Sequence, residues 1–287
     1  MEAVAPSNEE AVEAWSGVLF DRWVALRDVV AGAIAPFSDE AYRLCRPAPG
    51  ERVLDVGCGL GETTLQLAEL VGPDGEAVGM DSGERFIEMA RTEAEESGAA
   101  NVSYFVGDVQ MADLGGPYDV AFSRFGTLFC ANPVALLRNV RSSLAPGGRL
   151  AMIAWRRKLD NEWLHRGEVV ADRYLEKPEE TDEPTCGPGP FSMANADTVT
   201  EQLKYAGFGE IAAHRLDIDY RMGDDLDAAL RLVMAIGPAG ETDQLAGDEA
   251  EKIRPKLEAE LREAYAELEK PDGVFAPASV WIYTARA

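Results

Sequence analysis

Arg52-Val53-Leu54-Asp55-Val56-Gly57-Cys58-Gly59-Leu60-Gly61-Glu62-Thr63-Thr64 begins as an apolar run and dissolves into three alternate glycines. Val53, Leu54, Asp55 and Val56 read as a short buried strand. After the glycines, Leu65, Leu67, Ala68, Leu70 and Val71 recur at helical spacing. A strand that turns through glycines into a helix makes a ligand-cradling loop: glycine permits left-handed φ and close backbone approach, and the helix start offers free N–H groups. The plain alternative is a tight turn with no ligand.

The order of residues narrows the ligand. The dinucleotide fingerprint is G-x-G-x-x-G, whereas this loop is G-x-G-x-G with an acid, Asp55, two residues ahead of it. An acid there suits a cationic ligand better than a phosphate. The stretch resembles the first motif of the class I S-adenosylmethionine-dependent methyltransferases, whose cofactor carries an ammonium and a sulfonium.

Composition excludes several classes. The 287 residues, 46% hydrophobic, allow one large domain with a sizeable core. No run of about 18 apolar residues predicts a membrane span. The acidic start, Met1 to Glu10, does not read as a secretory signal, so the expected location is the cytoplasm. A net charge of −24 repels phosphate backbones and argues against nucleic acid. Cys45, Cys58, Cys130 and Cys186 are scattered and the only histidines are His165 and His214, so neither zinc nor a disulfide framework is expected. The cysteines read as free thiols, Cys58 and Cys130 near the cofactor site, and foremost as small buried apolar residues.

Residues 8–46 are expected to be helical, broken at Pro36 with Ser38 capping a second helix. Strands follow at 77–81, 102–106, 118–123 and 149–155, alternating with helices at 83–98 and 134–144, the latter opened by Asn132-Pro133. This alternation predicts a parallel sheet. Beyond residue 156, helices are expected over 162–175, 195–205, 224–236 and 247–269, the last broken or kinked at Pro255. An acidic loop spans 179–190, and strands span 211–221 and 279–285. The leucine-rich helix, the Pro146-Gly147-Gly148 turn and the strand after it match the same family.

The resemblance implies a Rossmann-like α/β fold: seven strands, mostly parallel, helices on both faces, and an antiparallel terminal strand between the fifth and sixth. It implies a single domain over 1–287, with a helical cap at 1–46, a cofactor-binding core at 47–156, lid segments at 157–190 and 223–272, and a terminal strand at 279–287. The cofactor site it implies contains Asp55, Gly57, Cys58, Gly59, Gly61, Thr63, Asp81, Ser82, Asp108, Val109, Ser123 and Arg124. Asp81, ending the second strand, would accept from the ribose hydroxyls or cap the next helix. Asp108 would accept from the adenine amine, with Val109 against the ring, or be a solvated turn residue. Arg124 would orient an anionic acceptor or bind a neighbouring carboxylate.

An aromatic pocket is expected from Trp15, Phe125, Phe129, Trp155 and Phe191, with plain core as the alternative for Trp15. A second tryptophan at helical spacing, Trp23, has the same two readings. Methyl transfer is an in-line displacement driven by proximity and orientation. No metal is expected, and the product is S-adenosylhomocysteine. His165 is the candidate base, with His214 a weaker one. The partner is a small, partly apolar acceptor, and the chain is a monomer or homodimer. Within the family the chain most resembles the small-molecule branch that includes the quinone and menaquinone methyltransferases, but the extended C-terminal signature of quinone-biosynthesis enzymes is not apparent, which argues against a quinone acceptor. Two other readings are an NAD(P)-dependent oxidoreductase and a non-catalytic S-adenosylmethionine-binding regulator.

Overall fold

The computed structural model describes residues 4–174, 188–236 and 250–287. Its centre is one sheet with strands β1 (Arg52–Val56), β2 (Glu76–Asp81), β3 (Val102–Val106), β4 (Tyr118–Arg124), β5 (Leu144–Trp155), β6 (Gly209–Gly223), β7 (Glu269–Lys270) and β8 (Gly273–Arg286). The spatial order is β3-β2-β1-β4-β5-β8-β6, with β7 paired to β8 alone. The first five strands are parallel; β8 runs antiparallel between β5 and β6. The expected topology therefore holds, with β7 as an eighth, two-residue strand. The terminal strand begins at Gly273, six residues earlier than its apolar run suggests, because β6 is long enough to pair with it as far as Gly223.

Nine helices are described: α1 (Glu9–Ser16), α2 (Val18–Cys45), α3 (Glu62–Val71), α4 (Glu84–Ser97), α5 (Pro133–Ser143), α6 (Glu162–Ala171), α7 (Ala196–Ala206), α8 (Leu226–Ile236) and α9 (Ala250–Tyr265). Val53, Leu54, Ala121 and Phe122 are wholly buried, as strands covered on both faces must be. Asn132 and Asn195 cap α5 and α7 as read, accepting from the Ala135 and Thr198 amides.

Two prolines correct the reading. Pro36 lies inside α2, which is continuous from Val18 to Cys45. The loss of one helical hydrogen bond, about 3 kcal/mol, is outweighed by the core contacts of Val30, Ala33 and Ile34 before it and of Phe37 and Ala41 after it. The break falls at Gly17 instead, whose φ of −107° and ψ of −118° lie outside the helix. Ser38 is buried mid-helix, not a cap. Pro255 likewise lies within α9, anchored by the buried Leu257, Leu261 and Tyr265. Cys186 and most of the acidic stretch 179–190 lie outside the described residues. No described helix is long and apolar enough to cross a membrane.

Candidate active site

A cavity of about 410 Å³ opens at the carboxyl ends of the parallel strands. This volume is in the range of small-molecule sites. Its floor comes from the strand tips: Val56 and Gly57 after β1, Asp81 and Ser82 after β2, Asp108 and Val109 after β3, Arg124 and Phe125 after β4, and Trp155 at the end of β5. Its roof comes from α1, α2, α6 and α8, including Trp15, Trp23, Ile34, Leu164 and Ala235.

The glycine loop is held by its own amides. Gly57 N and Cys58 N both donate to Met80 O, at 2.9 and 3.0 Å, and Gly61 N donates to Cys58 O at 3.0 Å. Gly59 N donates to Asp81 Oδ2 at 3.0 Å. A phosphate cradle needs such amides free; here four are engaged, one by a carboxylate. Glycine is required at Gly57, whose φ is +69° and whose hypothetical Cβ would lie 2.6 Å from Gly126 Cα. At Gly59, φ is +54° and a Cβ would meet nothing within 4 Å. That open space belongs to the cavity.

Asp81 is half-buried. Its Oδ1 accepts from Gly83 N at 2.9 Å and its Oδ2 from Gly59 N. Burial pushes its pKa up, against the pull of these amides. The carboxylate lines the cavity with lone pairs remaining for a ligand's hydroxyls. Gly83, not Asp81, is the N-cap of α4.

Asp55 differs from its expected role. It is wholly buried and does not line the cavity. Its Oδ2 accepts from Thr63 Oγ1 at 2.6 Å and Thr64 Oγ1 at 2.7 Å, which ties the end of β1 to the first turn of α3. Oδ1 has no partner among the described residues, and burial raises the pKa to about 6. Thr63 is therefore a clasp for Asp55. Ser123 is buried too, donating to Val56 O at 2.8 Å across β1 and β4. Gly61 and Cys58 also lie behind the loop. A Cβ on Gly61 would strike Tyr104 Oη at 2.8 Å, and Cys58 packs with Ile87, Ala90 and Tyr104.

Asp108 is 2% exposed, so the solvated-turn reading fails. Its Oδ2 accepts from Ala5 N at 3.0 Å, and its Oδ1 from Gln110 N at 3.0 Å and Asn8 Nδ2 at 3.3 Å. Asn8 Oδ1 in turn accepts from Ala131 N at 3.1 Å. The chain's own N-terminal segment thus meets the carboxylate expected to bind adenine; an amine reaching Asp108 would share it with Ala5. Val109 lines the cavity beside it.

Arg124 lines the cavity with its guanidinium committed to the neighbouring carboxylate. Nη2 meets Glu62 Oε2 at 2.7 Å and Nη1 donates to Ser38 Oγ at 3.2 Å. All five expected aromatics line the cavity. Trp15 meets Phe129 edge-on, with centroids 4.9 Å apart. Phe125 holds a φ of +63°, strained for a bulky residue, and stacks on Trp155 at 4.4 Å. The series continues to Trp163, 5.3 Å from Trp155, and to Tyr220, stacked 4.8 Å from Trp163. Trp163 and Tyr220 carried no sequence signal beyond their type.

His165 corrects the reading. On α6, Trp163 and Leu164 face the cavity, and Gly167 packs where a Cβ would meet Val233. His165 falls outside the lining, with Nδ1 3.5 Å from Glu168 Oε2. His214 sits on β6 with Nε2 3.1 Å from Thr284 Oγ1, also outside it.

A methyltransferase domain family matches residues 47–177. Nocamycin O-methyltransferase of Saccharothrix syringae is 32% identical over 216 residues, which cover 71% of this chain and 76% of that protein. Aklanonic acid methyltransferase DauC of Streptomyces is 34% identical over 117 residues, 40% of this chain and about half (53%) of the relative's length. Among solved structures, the 4+2 cyclase SpnF superposes with a TM-score of 0.59 over 98% of this chain and 97% of its own, at 18% identity, a likeness of fold alone. The strand order, the carboxylate-flanked glycine loop and the relative aligned over most of both chains lead to one assignment: this chain belongs to the class I S-adenosylmethionine-dependent methyltransferases.

Proposed function

We propose that the chain transfers a methyl group from S-adenosylmethionine to an oxygen of a small, partly apolar, aromatic acceptor. The observation that carries this reading is the Asp81–Gly59 arrangement. The loop's amides are spent internally while a carboxylate faces the cavity. That environment suits hydroxyls and positive charge and disfavours a pyrophosphate. Gly59, with open space where a side chain would stand, fits a cofactor lying against its backbone. The O-methyltransferase relative supports an oxygen acceptor.

When bound, the cofactor supplies an already activated methyl on a sulfonium. The protein's part is geometric. Asp81 accepts hydroxyl hydrogen bonds and fixes the donor's register. The loop after β4, with Phe125 locked on Trp155, forms the wall between donor and acceptor. The aromatic walls hold a flat acceptor and exclude water. Arg124, paired to Glu62, keeps β4, α2 and α3 in fixed relation. No histidine lines the cavity to remove a proton. The test is mass spectrometry of metabolites carried through purification, followed by a screen of phenolic and enolic acceptors that reads S-adenosylhomocysteine. Formation with an aromatic hydroxyl compound is expected. No turnover across the screen, with the cofactor bound, would favour a binding protein without methyl transfer.

A further inference from the structure

Buried polar hydrogens in this chain are paired with care. Tyr265 Oη donates to Trp163 O at 2.9 Å, Tyr283 Oη to Met193 O at 2.9 Å, and Tyr118 Oη to Leu114 O at 2.8 Å. Trp281 Nε1 donates to Ala194 O at 2.9 Å. Two residues at the end of the aromatic series break this habit. Trp163, 5% exposed, has an indole Nε1–H with no partner among the described residues. Tyr220, 1% exposed, has a hydroxyl that meets no partner among the described residues, and burial alone raises its pKa. Besides Trp163 Nε1, the fully buried side-chain atoms without partners among the described residues, Asp55 Oδ1 and Gln202 Oε1, belong to residues outside the cavity lining.

An unpaired buried donor costs about 1–3 kcal/mol, and buried tryptophan N–H groups ordinarily find acceptors. The unpaired Trp163 donor and the Tyr220 hydroxyl, on rings stacked 4.8 Å apart and lining one apolar cavity, mark a place built for an acceptor atom that arrives with the ligand. The indole N–H can only donate and the Tyr220 hydroxyl can donate beside it, so the atom they share carries lone pairs. The surrounding faces of Phe125 and Trp155 are flat and apolar, so that atom is borne by an aromatic framework.

We propose that Trp163 Nε1–H and Tyr220 Oη–H form a donor pair that grips a ring-attached carbonyl oxygen of the methyl acceptor, making these residues determinants of acceptor specificity. The acceptor class is then an aromatic ketone. The inference rests on the methyltransferase reading for its link to turnover, but the binding chemistry can be measured separately.

The matched probes are 1-tetralone and tetralin, which differ by the carbonyl oxygen. Binding of each is measured by calorimetry on the full chain with S-adenosylhomocysteine present, and again without it. The wild type is expected to prefer 1-tetralone at least 10-fold. Trp163→Phe should abolish that preference. Tyr220→Phe, which removes one oxygen from a buried ring, should reduce it at least threefold and keeps the test decisive if Trp163→Phe does not fold. A wild type that does not discriminate, or binds neither probe, overturns the proposal, as do folded variants that keep the full preference. Discrimination without any S-adenosylhomocysteine binding would keep the donor pair and reject the methyltransferase reading; the reverse would reject the donor pair alone.

Discussion

The carboxylate of Asp81 reaches from the tip of β2 to the amide of Gly59, 3.0 Å away in the loop after β1. This bond fixes the loop and places negative charge at its rim. Asp81→Ala removes both the brace and the acceptor for ligand hydroxyls. A charged hydrogen bond is worth about 1–3 kcal/mol, so S-adenosylhomocysteine affinity should fall roughly 5- to 150-fold in calorimetric titration. Unchanged affinity would remove Asp81 from the cofactor site.

Gly57 and Gly59 separate two effects. At Gly57 a side chain strikes the Gly126 backbone, so Gly57→Val should abolish cofactor binding, with circular dichroism still showing most of the fold. At Gly59 a Cβ enters open cavity. Gly59→Ala should cost only about 1–2 kcal/mol for its left-handed backbone, yet weaken the cofactor at least 10-fold. Full affinity in Gly59→Ala would show that the ligand does not lie against this loop.

Asn8 joins Asp108 to the Ala131 amide. Asn8→Ala should loosen residues 4–8 over the cavity and speed S-adenosylhomocysteine release, about three- to tenfold, measured by stopped-flow. An unchanged off-rate would mean the segment plays no part in retention.

Asp55 gives a pH signature. Its folded pKa, about 6, lies above the ordinary value of 3.8. Between these values the native state binds more protons than the unfolded chain, so this group's contribution is fully present below about pH 4 and is lost as pH rises through 6. The loss is about 2–3 kcal/mol. Asp55→Asn cannot titrate, so its melting temperature relative to wild type should rise between pH 4 and 7, on the order of 5 °C. A constant difference would show that Asp55 is not held protonated by burial.

His165 pairs with Glu168 and does not line the cavity. His165→Ala should therefore leave kcat within about twofold of wild type and its pH profile unchanged. A loss above tenfold with an altered acidic limb would restore His165 as the base.

The core was legible because its signals are local. Val53 to Val56, Ala77 to Asp81 and Tyr118 to Ser123 are apolar runs punctuated by glycine and proline, and their order dictates parallel pairing. Asp81 was readable for the same reason, standing where a strand ends. What escaped depends on distant partners. Pro36 is overruled by packing on either side of it. Asp55 turns inward because Thr63 and Thr64 meet it. Asp108 is reached by Ala5, 103 residues away in sequence. Trp163 and Tyr220 become neighbours only after α6 folds against β6 and β8, a proximity no spacing encodes.

The central claim is that a cationic methyl donor, not a dinucleotide, occupies the strand tips beside Asp81. Calorimetric titration of the wild-type protein with S-adenosylhomocysteine and, separately, with NADH tests it most directly. Saturable one-to-one binding of S-adenosylhomocysteine and no heat of binding with NADH is the predicted result. Saturable NADH binding with none for S-adenosylhomocysteine would contradict it.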